Sequence, residues 1–287
     1  MTAITKTWEQ AVQWLSEQSE YQQIVYDCYY DKPQADAANR YSDSEEWKAI
    51  RSLLPLPPGR ALDLGSGHGI TSAALAKMGY QVTAVEPDAS DLVGRGAIAK
   101  LEVELGLSID ALAGTAEAIP VTDQSFEIAI AREVMHHFRD LPAACRDVFR
   151  VLRPGGVFVT IRDHVVSCHA DRLAFFEAHP LHRLYGGENA FREDEYAGAI
   201  EAAGFIIEKT LRSFDSIINY APSTRDGLRT TMKRRLDRIP LAAPLFGLIT
   251  SSDWVFSALL TMLSRIDWRP GRLITFVARK PFGVMGD

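Results

Sequence analysis

Three cysteines in 287 residues, Cys28, Cys145 and Cys168, are too few and too widely spaced for a disulfide framework, and they match no zinc spacing. Excess positive charge is also missing. The formal net charge is −6, which argues against nucleic acid as a partner. The apolar runs 239–250 and 254–263 fall short of the roughly 20 residues that cross a bilayer. The opening MTAITKTWEQ has no apolar signal core. No internal repeat and no low-complexity tract is present. These absences together lead to the expectation of a cytoplasmic protein. What remains is ordinary globular composition, 47% hydrophobic and 24% charged, enough for one large domain with additions.

Residues 1–54 read as helices. Trp8, Val12 and Leu15 recur at helical spacing, and a tyrosine-rich cluster runs from Ile24 to Tyr30. Ser42-Asp43-Ser44-Glu45 fits a capping box for the helix carrying Trp47, Ile50 and Leu53. Pro55 to Gly59 ends that helix. From Arg60 short apolar strands alternate with helices: strands at 60–65, 81–86, 108–113, 126–132 and 157–162, with helices such as 70–78 and 141–152 between them. This is the signature of an α/β fold with a mostly parallel sheet covered on both faces. An irregular insert is expected at 163–190, then a helix at 192–203 and a strand at 205–212. A second insert fills 217–271 before a last strand at 272–279.

The strongest motif is LDLGSGHGI at 62–70, where a strand runs through Gly65, Gly67 and Gly69 into a helix. Glycines suit a backbone that must turn sharply and approach a ligand closely. Glu86 stands at the next strand end, 21 residues after Gly65, where a carboxylate can accept from two ribose hydroxyls. Ile70 stands where a dinucleotide fingerprint has its third glycine, so an NAD-dependent oxidoreductase is disfavoured. With AVEPD, GTAEAIP, DQSFEIAIAREVMHHF and VLRPGGVFV added, the chain resembles the class I S-adenosylmethionine-dependent methyltransferases, in the small-molecule branch of the ubiquinone and menaquinone enzymes. The resemblance covers roughly 60–162 and the last strand.

That resemblance implies a Rossmann-like sheet of seven strands with an antiparallel last strand. It implies S-adenosylmethionine as cofactor and S-adenosylhomocysteine as product. Gly65 and Gly67 would meet the methionine end through backbone, and Glu86 would hold the ribose. Pro87 and Asp88 would flank the adenine, with Ala116 and Glu117 along its other edge. The backbone of Arg132 would pass under the sulfonium. Asp63 and Ser66, at the turn, join this cofactor set. Thr115 departs from the Asp or Asn usual in the family, although its hydroxyl can still reach the adenine amino group.

All seven histidines fall where the fold places strand ends or the loops above them. Removing a hydroxyl proton during methyl transfer calls for a base that titrates near neutrality. His137, second of the pair after the fourth strand, and His164, after the fifth, are the base candidates. His136, His179, His182, Tyr185 and Glu188 are the acceptor-binding candidates. His68 in the glycine turn can simply face solvent. No metal is expected, because His179, His182 and Glu188 match no zinc motif.

The expected division is an N-terminal helical cap at 1–58, a cofactor-binding core at 59–216, a helical insert at 217–271, and a final strand and tail at 272–287. Within 225–272, nine Lys or Arg face four acids. That segment could be a lid, a subunit interface or a peripheral membrane contact. The function expected is methyl transfer to a small-molecule or lipid- or sugar-linked acceptor. A catalytically silent cofactor-binding scaffold on the same fold is the alternative.

Overall fold

The computed structural model describes residues 6–187, 189–239 and 242–282. Four helices come first: α1 (Trp8–Glu17), α2 (Gln22–Asp27), α3 (Gln34–Asp43) and α4 (Glu45–Arg51). The cap of α4 is Ser44, whose hydroxyl accepts from Trp47 N. Ser42 lies inside α3, so the expected four-residue box is two residues too early. The pattern misleads because Ser42 bonds its own helix at Ala38 O.

The alternating region follows as β1 (Arg60–Leu64), α5 (Ile70–Lys77), β2 (Gln81–Val85), α6 (Arg95–Leu105), β3 (Ile109–Leu112), β4 (Phe126–Arg132), α7 (Leu141–Val151) and β5 (Leu152–Val166). Then come α8 (His169–Ala178), α9 (Pro180–Tyr185), β6 (Phe191–Arg192), α10 (Glu193–Ala202) and β7 (Ile206–Leu211). The chain continues through α11 (Ile217–Tyr220), α12 (Arg225–Leu236), α13 (Ala242–Ile249), α14 (Asp253–Arg265) and β8 (Arg272–Arg279). The strand order is β3-β2-β1-β4-β5-β8-β7, with the two-residue β6 added beside β5. Strands β1 to β5 pair parallel, and β8 runs antiparallel to both β5 and β7.

Alternation along the strands builds two cores. Ala61, Ile128 and Ile130 pack with α3 to α6 on one face. Leu62, Leu64, Phe126 and Ala129 pack with α7 and α10 on the other. The segment expected to be irregular at 163–190 is more ordered than its sequence suggests. Strand β5 runs on to Val166, and α8 and α9 follow. Pro180 opens α9, and Gly186 ends it in the left-handed region at φ 71°.

Candidate active site

The glycine turn links β1 to α5. Gly65, Gly67 and Gly69 all lie at positive φ, between 52° and 87°. At Gly65 a Cβ would stand 2.5 Å from a Val134 methyl, so sterics and backbone both demand glycine. Beneath the turn, Asp63 is buried and accepts from Ser72 Oγ at 2.5 Å, which ties α5 to β1. Burial pushes its pKa up to about 7, against the pull of the Ser72 hydrogen bond. Ser66 is buried, and its hydroxyl has no hydrogen-bond partner among the described residues.

Glu86 faces this turn. Its Oε2 accepts from Gly67 N and its Oε1 from Asp88 N, both at 2.9 Å. Each carboxylate oxygen has a second acceptor site, so a ligand can be added without breaking either bond. Burial raises the Glu86 pKa, while the two backbone N–H groups pull it back. Arg95 fixes the turn behind it by donating to the carbonyls of Glu86, Pro87 and Asp88. Arg95 is absent from the sequence-derived set, because an arginine at a helix start carries no local sign of this role.

After β3, Thr115 forms an isolated bridge with Ala118, and Ala116 is buried. Glu117 accepts from the backbone N–H of Arg139 at 2.8 Å and of Asp140 at 3.4 Å. These bonds hold its pKa low despite burial. The acid thus splints two loops as well as standing in the expected cofactor set.

His68 does not face solvent. It is buried, its Nε2 lies 3.0 Å from Tyr29 O, and its ring packs 4.1 Å from that of Tyr30. Desolvation lowers its pKa to about 4, overcoming the pull of the Tyr29 carbonyl. Trp8 of α1 then touches Tyr30 at 5.9 Å and Tyr185 of α9 at 4.9 Å. An aromatic chain therefore runs from the glycine turn across the N-terminal helices to the insert.

The histidines after β4 and within β5 form a second chain of rings. His136 lies 4.1 Å from His137 and 4.9 Å from His164, and His164 lies 5.3 Å from His179. His182 stacks on Phe176 at 4.3 Å. Glu188 lies outside the described residues. His137 is exposed, and its Nδ1 sits 2.9 Å from Gly187 O. His164 Nδ1 sits 3.2 Å from Gly271 O. A carbonyl only accepts, so Nδ1 carries the proton in each ring and Nε2 is the basic nitrogen. His136 differs: it is buried, and its Nδ1 and backbone N both approach Asp163 Oδ1, at 3.0 and 3.2 Å. Its side chain is the buried one of the three and is held by Asp163. Asp163 is itself buried, and desolvation raises its pKa against the pull of His136.

A buried charge network underlies all of this. Glu46 of α4 bonds Arg132 at the end of β4, from Oε1 to both Nε and Nη2 at 3.0 Å. Arg132 Nη1 reaches Glu133 at 3.4 Å, and Glu133 accepts from Arg162 Nε of β5 at 2.6 Å. Arg162 also donates to the carbonyls of Ile218 and Ala221. Burial would raise the Glu133 pKa, but Arg132 and Arg162 hold it down at about 2. Its side chain is still 33% exposed. Glu133 and Arg162 both take left-handed backbone, at φ 56° and 61°. Such strain costs on the order of 1–3 kcal/mol per residue and gathers at functional sites. The expected role of Arg132 concerned its backbone; its side chain clamps the N-terminal helices to the sheet.

The family described as "Methyltransferase domain" matches residues 62–160, the stretch that holds the glycine turn, Glu86, Glu117 and the histidine pair. Residues 62–160 therefore carry a methyltransferase domain of the class I, S-adenosylmethionine-dependent kind. Among its relatives, the Rhizobium johnstonii protein named ubiquinone biosynthesis O-methyltransferase is 29% identical over 183 residues, covering 61% of this chain and 72% of that protein. In fold it is similar to the [4+2]-cyclase SpnF, at TM-score 0.55 and 21% identity, covering 86% of this chain and 83% of that one. It is also similar to the YcgJ protein of Bacillus subtilis, at TM-score 0.53 and 22% identity, covering 83% and 99%.

This methyltransferase uses S-adenosylmethionine and releases S-adenosylhomocysteine. The residues present fit that ligand. Ser66 Oγ is a buried polar atom without a partner at the turn, and Glu86 keeps acceptor capacity. Above Gly67 there is room: a Cβ there would meet nothing closer than Val93 O at 3.7 Å. Glu86→Ala is expected to weaken S-adenosylhomocysteine binding by about 1.5–3 kcal/mol, the worth of a hydrogen bond to a charged group. Calorimetry checks this, with circular dichroism confirming the fold. Unchanged affinity in a folded variant would remove Glu86 from the ribose.

Proposed function

We propose that this methyltransferase methylates the hydroxyl of a phenolic acceptor of the ubiquinone-precursor kind, small or lipid-linked, with His137 or His164 as base. The observation that carries this reading is the pair of rings pinned through Nδ1 to the carbonyls of Gly187 and Gly271. A ring protonated at Nδ1 has Nε2 as its basic nitrogen when neutral, the form that takes a hydroxyl proton. The ubiquinone O-methyltransferase name of the 29% identical relative supports the acceptor class.

S-adenosylmethionine supplies an electrophilic methyl group on a sulfonium, open to in-line displacement. The protein's part is to orient the acceptor and hold its proton. His137 or His164 takes that proton at Nε2. His136, fixed by Asp163, packs tilted against His137 and edge-on to His164 and limits their ring orientations. His179, His182 and Tyr185 contact the acceptor from the insert. The segment 217–271 brings a lipid-linked acceptor to the enzyme by contact with a membrane surface.

The test is turnover of methyl-labelled S-adenosylmethionine with catechol-type quinone precursors carrying short or long prenyl tails. A methyl ether product supports the reading. Cofactor binding without transfer to any phenol would favour the silent scaffold. Transfer to nitrogen or carbon alone would overturn O-methylation.

A further inference from the structure

The segment between β7 and β8 holds nine Lys or Arg against four acids at 225–272, in a chain of net charge −6. Four of these arginines are spent on structure: Arg269 pairs with Asp267 at 2.7 Å, Arg272 donates to Ser167 Oγ at 3.0 Å, and Arg225 and Arg229 hold the insert together. Arg229 pairs with Asp253 at 2.8 Å, and Arg225 and Arg229 lie over the Phe256 ring at 5.4 and 4.6 Å. Together they fasten α12 to α14. Lys233, Arg234, Arg235 and Arg238 are exposed and show no ion pair among the described residues. Thr231, Arg234 and Arg235 step at i, i+3 and i+4 on α12, and Arg238 follows in the turn just beyond its end. They line an open cleft of about 360 Å³.

The basic helix sits on an apolar one. A Cβ at Gly247 of α13 would come 3.9 Å from Lys233 Nζ. Leu245, Leu248 and Ile249 of α13 face outward on one side, and Leu248 is 73% exposed. Trp254, at the start of α14, is 78% exposed. The opposite face of α14, Phe256, Leu260 and Ser264, is buried and already joins this unit to the rest of the protein. The outward side chains are therefore surplus to that packing. Among the described residues no single helix is long and apolar enough to cross a membrane, and α13 and α14 are bent by 112° at their junction.

Three guanidiniums converging on one cleft suit phosphate, which arginine binds through paired donors. RNA offers phosphates too, but no acyl layer for Leu245, Leu248, Ile249 and Trp254. A bilayer with acidic lipids offers both.

We propose that α12–α14 docks on an anionic phospholipid surface, with Arg234, Arg235 and Arg238 on lipid phosphates and Leu245, Leu248, Ile249 and Trp254 in the headgroup–acyl boundary. This rests on the membrane contact in the function proposed above and adds the lipid class and the residues that select it. The full chain is sedimented with vesicles of phosphatidylcholine alone and of phosphatidylcholine with phosphatidylglycerol. Binding is expected only with phosphatidylglycerol, weakening as salt rises. Tryptophan emission shifts to the blue on binding, and Trp254→Phe removes the shift. The triple variant R234Q/R235Q/R238Q loses about fivefold in binding per arginine. Leu248→Ser weakens binding as well, and both variants keep their S-adenosylhomocysteine affinity. Equal binding to both vesicle types, unmoved by the arginine changes, would overturn the phosphate cleft while leaving surface contact standing. Binding to neither vesicle would overturn both. A dimer in light scattering that Leu248→Ser dissociates, without vesicle binding, would assign the apolar face to a second copy.

Discussion

Replacing His137 and His164 together by alanine is expected to lower kcat by about 10²–10⁴-fold, the usual worth of a general base. S-adenosylhomocysteine affinity should stay near that of the parent protein, because neither ring contacts the glycine turn or Glu86 among the contacts that define them. The single variants then divide the effect. The ring that holds the acceptor proton carries most of the loss, and the other shifts KM. A base must be unprotonated to act, so the parent enzyme should lose rate as pH falls, and the variant lacking the base should lose that dependence. Asp163→Asn gives a graded control. It keeps the shape behind His136 but weakens the charge that orients it, so its loss should be smaller than that of the double variant. Full activity in H137A/H164A would mean that the acceptor ionises without help from these rings.

The site was readable in the sequence where its parts are local. Gly65, Gly67, Gly69 and Glu86 sit at the ends of two adjacent strands, and strand periodicity places such ends without knowledge of tertiary contacts. The sheet was legible for the same reason, up to its antiparallel last strand. The charge network was not legible, because Glu46 and Arg132 are separated by 86 positions and neither looks unusual in its own helix or strand. His136 and Asp163 are 27 positions apart, and only the pairing of β4 with β5 brings them together. In LDLGSGHGI nothing shows that His68 is buried, since its cover comes from Tyr29 and Tyr30 in the link between α2 and α3. The stretch 163–190 misled for a different reason. Its proline, paired glycines and histidines read as loop chemistry, whereas Pro180 and Gly186 mark the two ends of a short helix.

These non-local contacts have a common direction. Most of them run between the N-terminal helices and the carboxyl ends of the strands. Tyr30 packs on His68, Gln34 donates to His68 O at 2.5 Å, and Glu46 holds Arg132. The helical cap is thus built into the walls of the cofactor site. Damage to the cap should therefore reach the site through named bonds, and the Glu46–Arg132 pair is where the link is strongest.

Glu46→Ala is expected to destabilise the protein by about 3–5 kcal/mol, the usual cost of removing one partner from a buried ion pair. The pair qualifies as buried, with side-chain exposures of 3% for Glu46 and 10% for Arg132. Without Glu46, the guanidinium keeps only the longer contact to Glu133 at 3.4 Å and the ring faces of Tyr41 and Tyr29 at 5.0 and 6.0 Å. Glu46→Gln retains an acceptor for Arg132 Nε but not the charge, so its loss should be smaller. Urea unfolding followed by far-ultraviolet circular dichroism measures each midpoint. If Glu46→Ala does not fold, the Gln variant still gives the comparison. The double variant Glu46→Leu with Arg132→Met removes both charges in similar volume and should recover much of the stability. A loss below about 1 kcal/mol in both single variants would place the pair with ordinary surface ion pairs. The link between the helical cap and the site would then rest on Tyr30 and Gln34 alone.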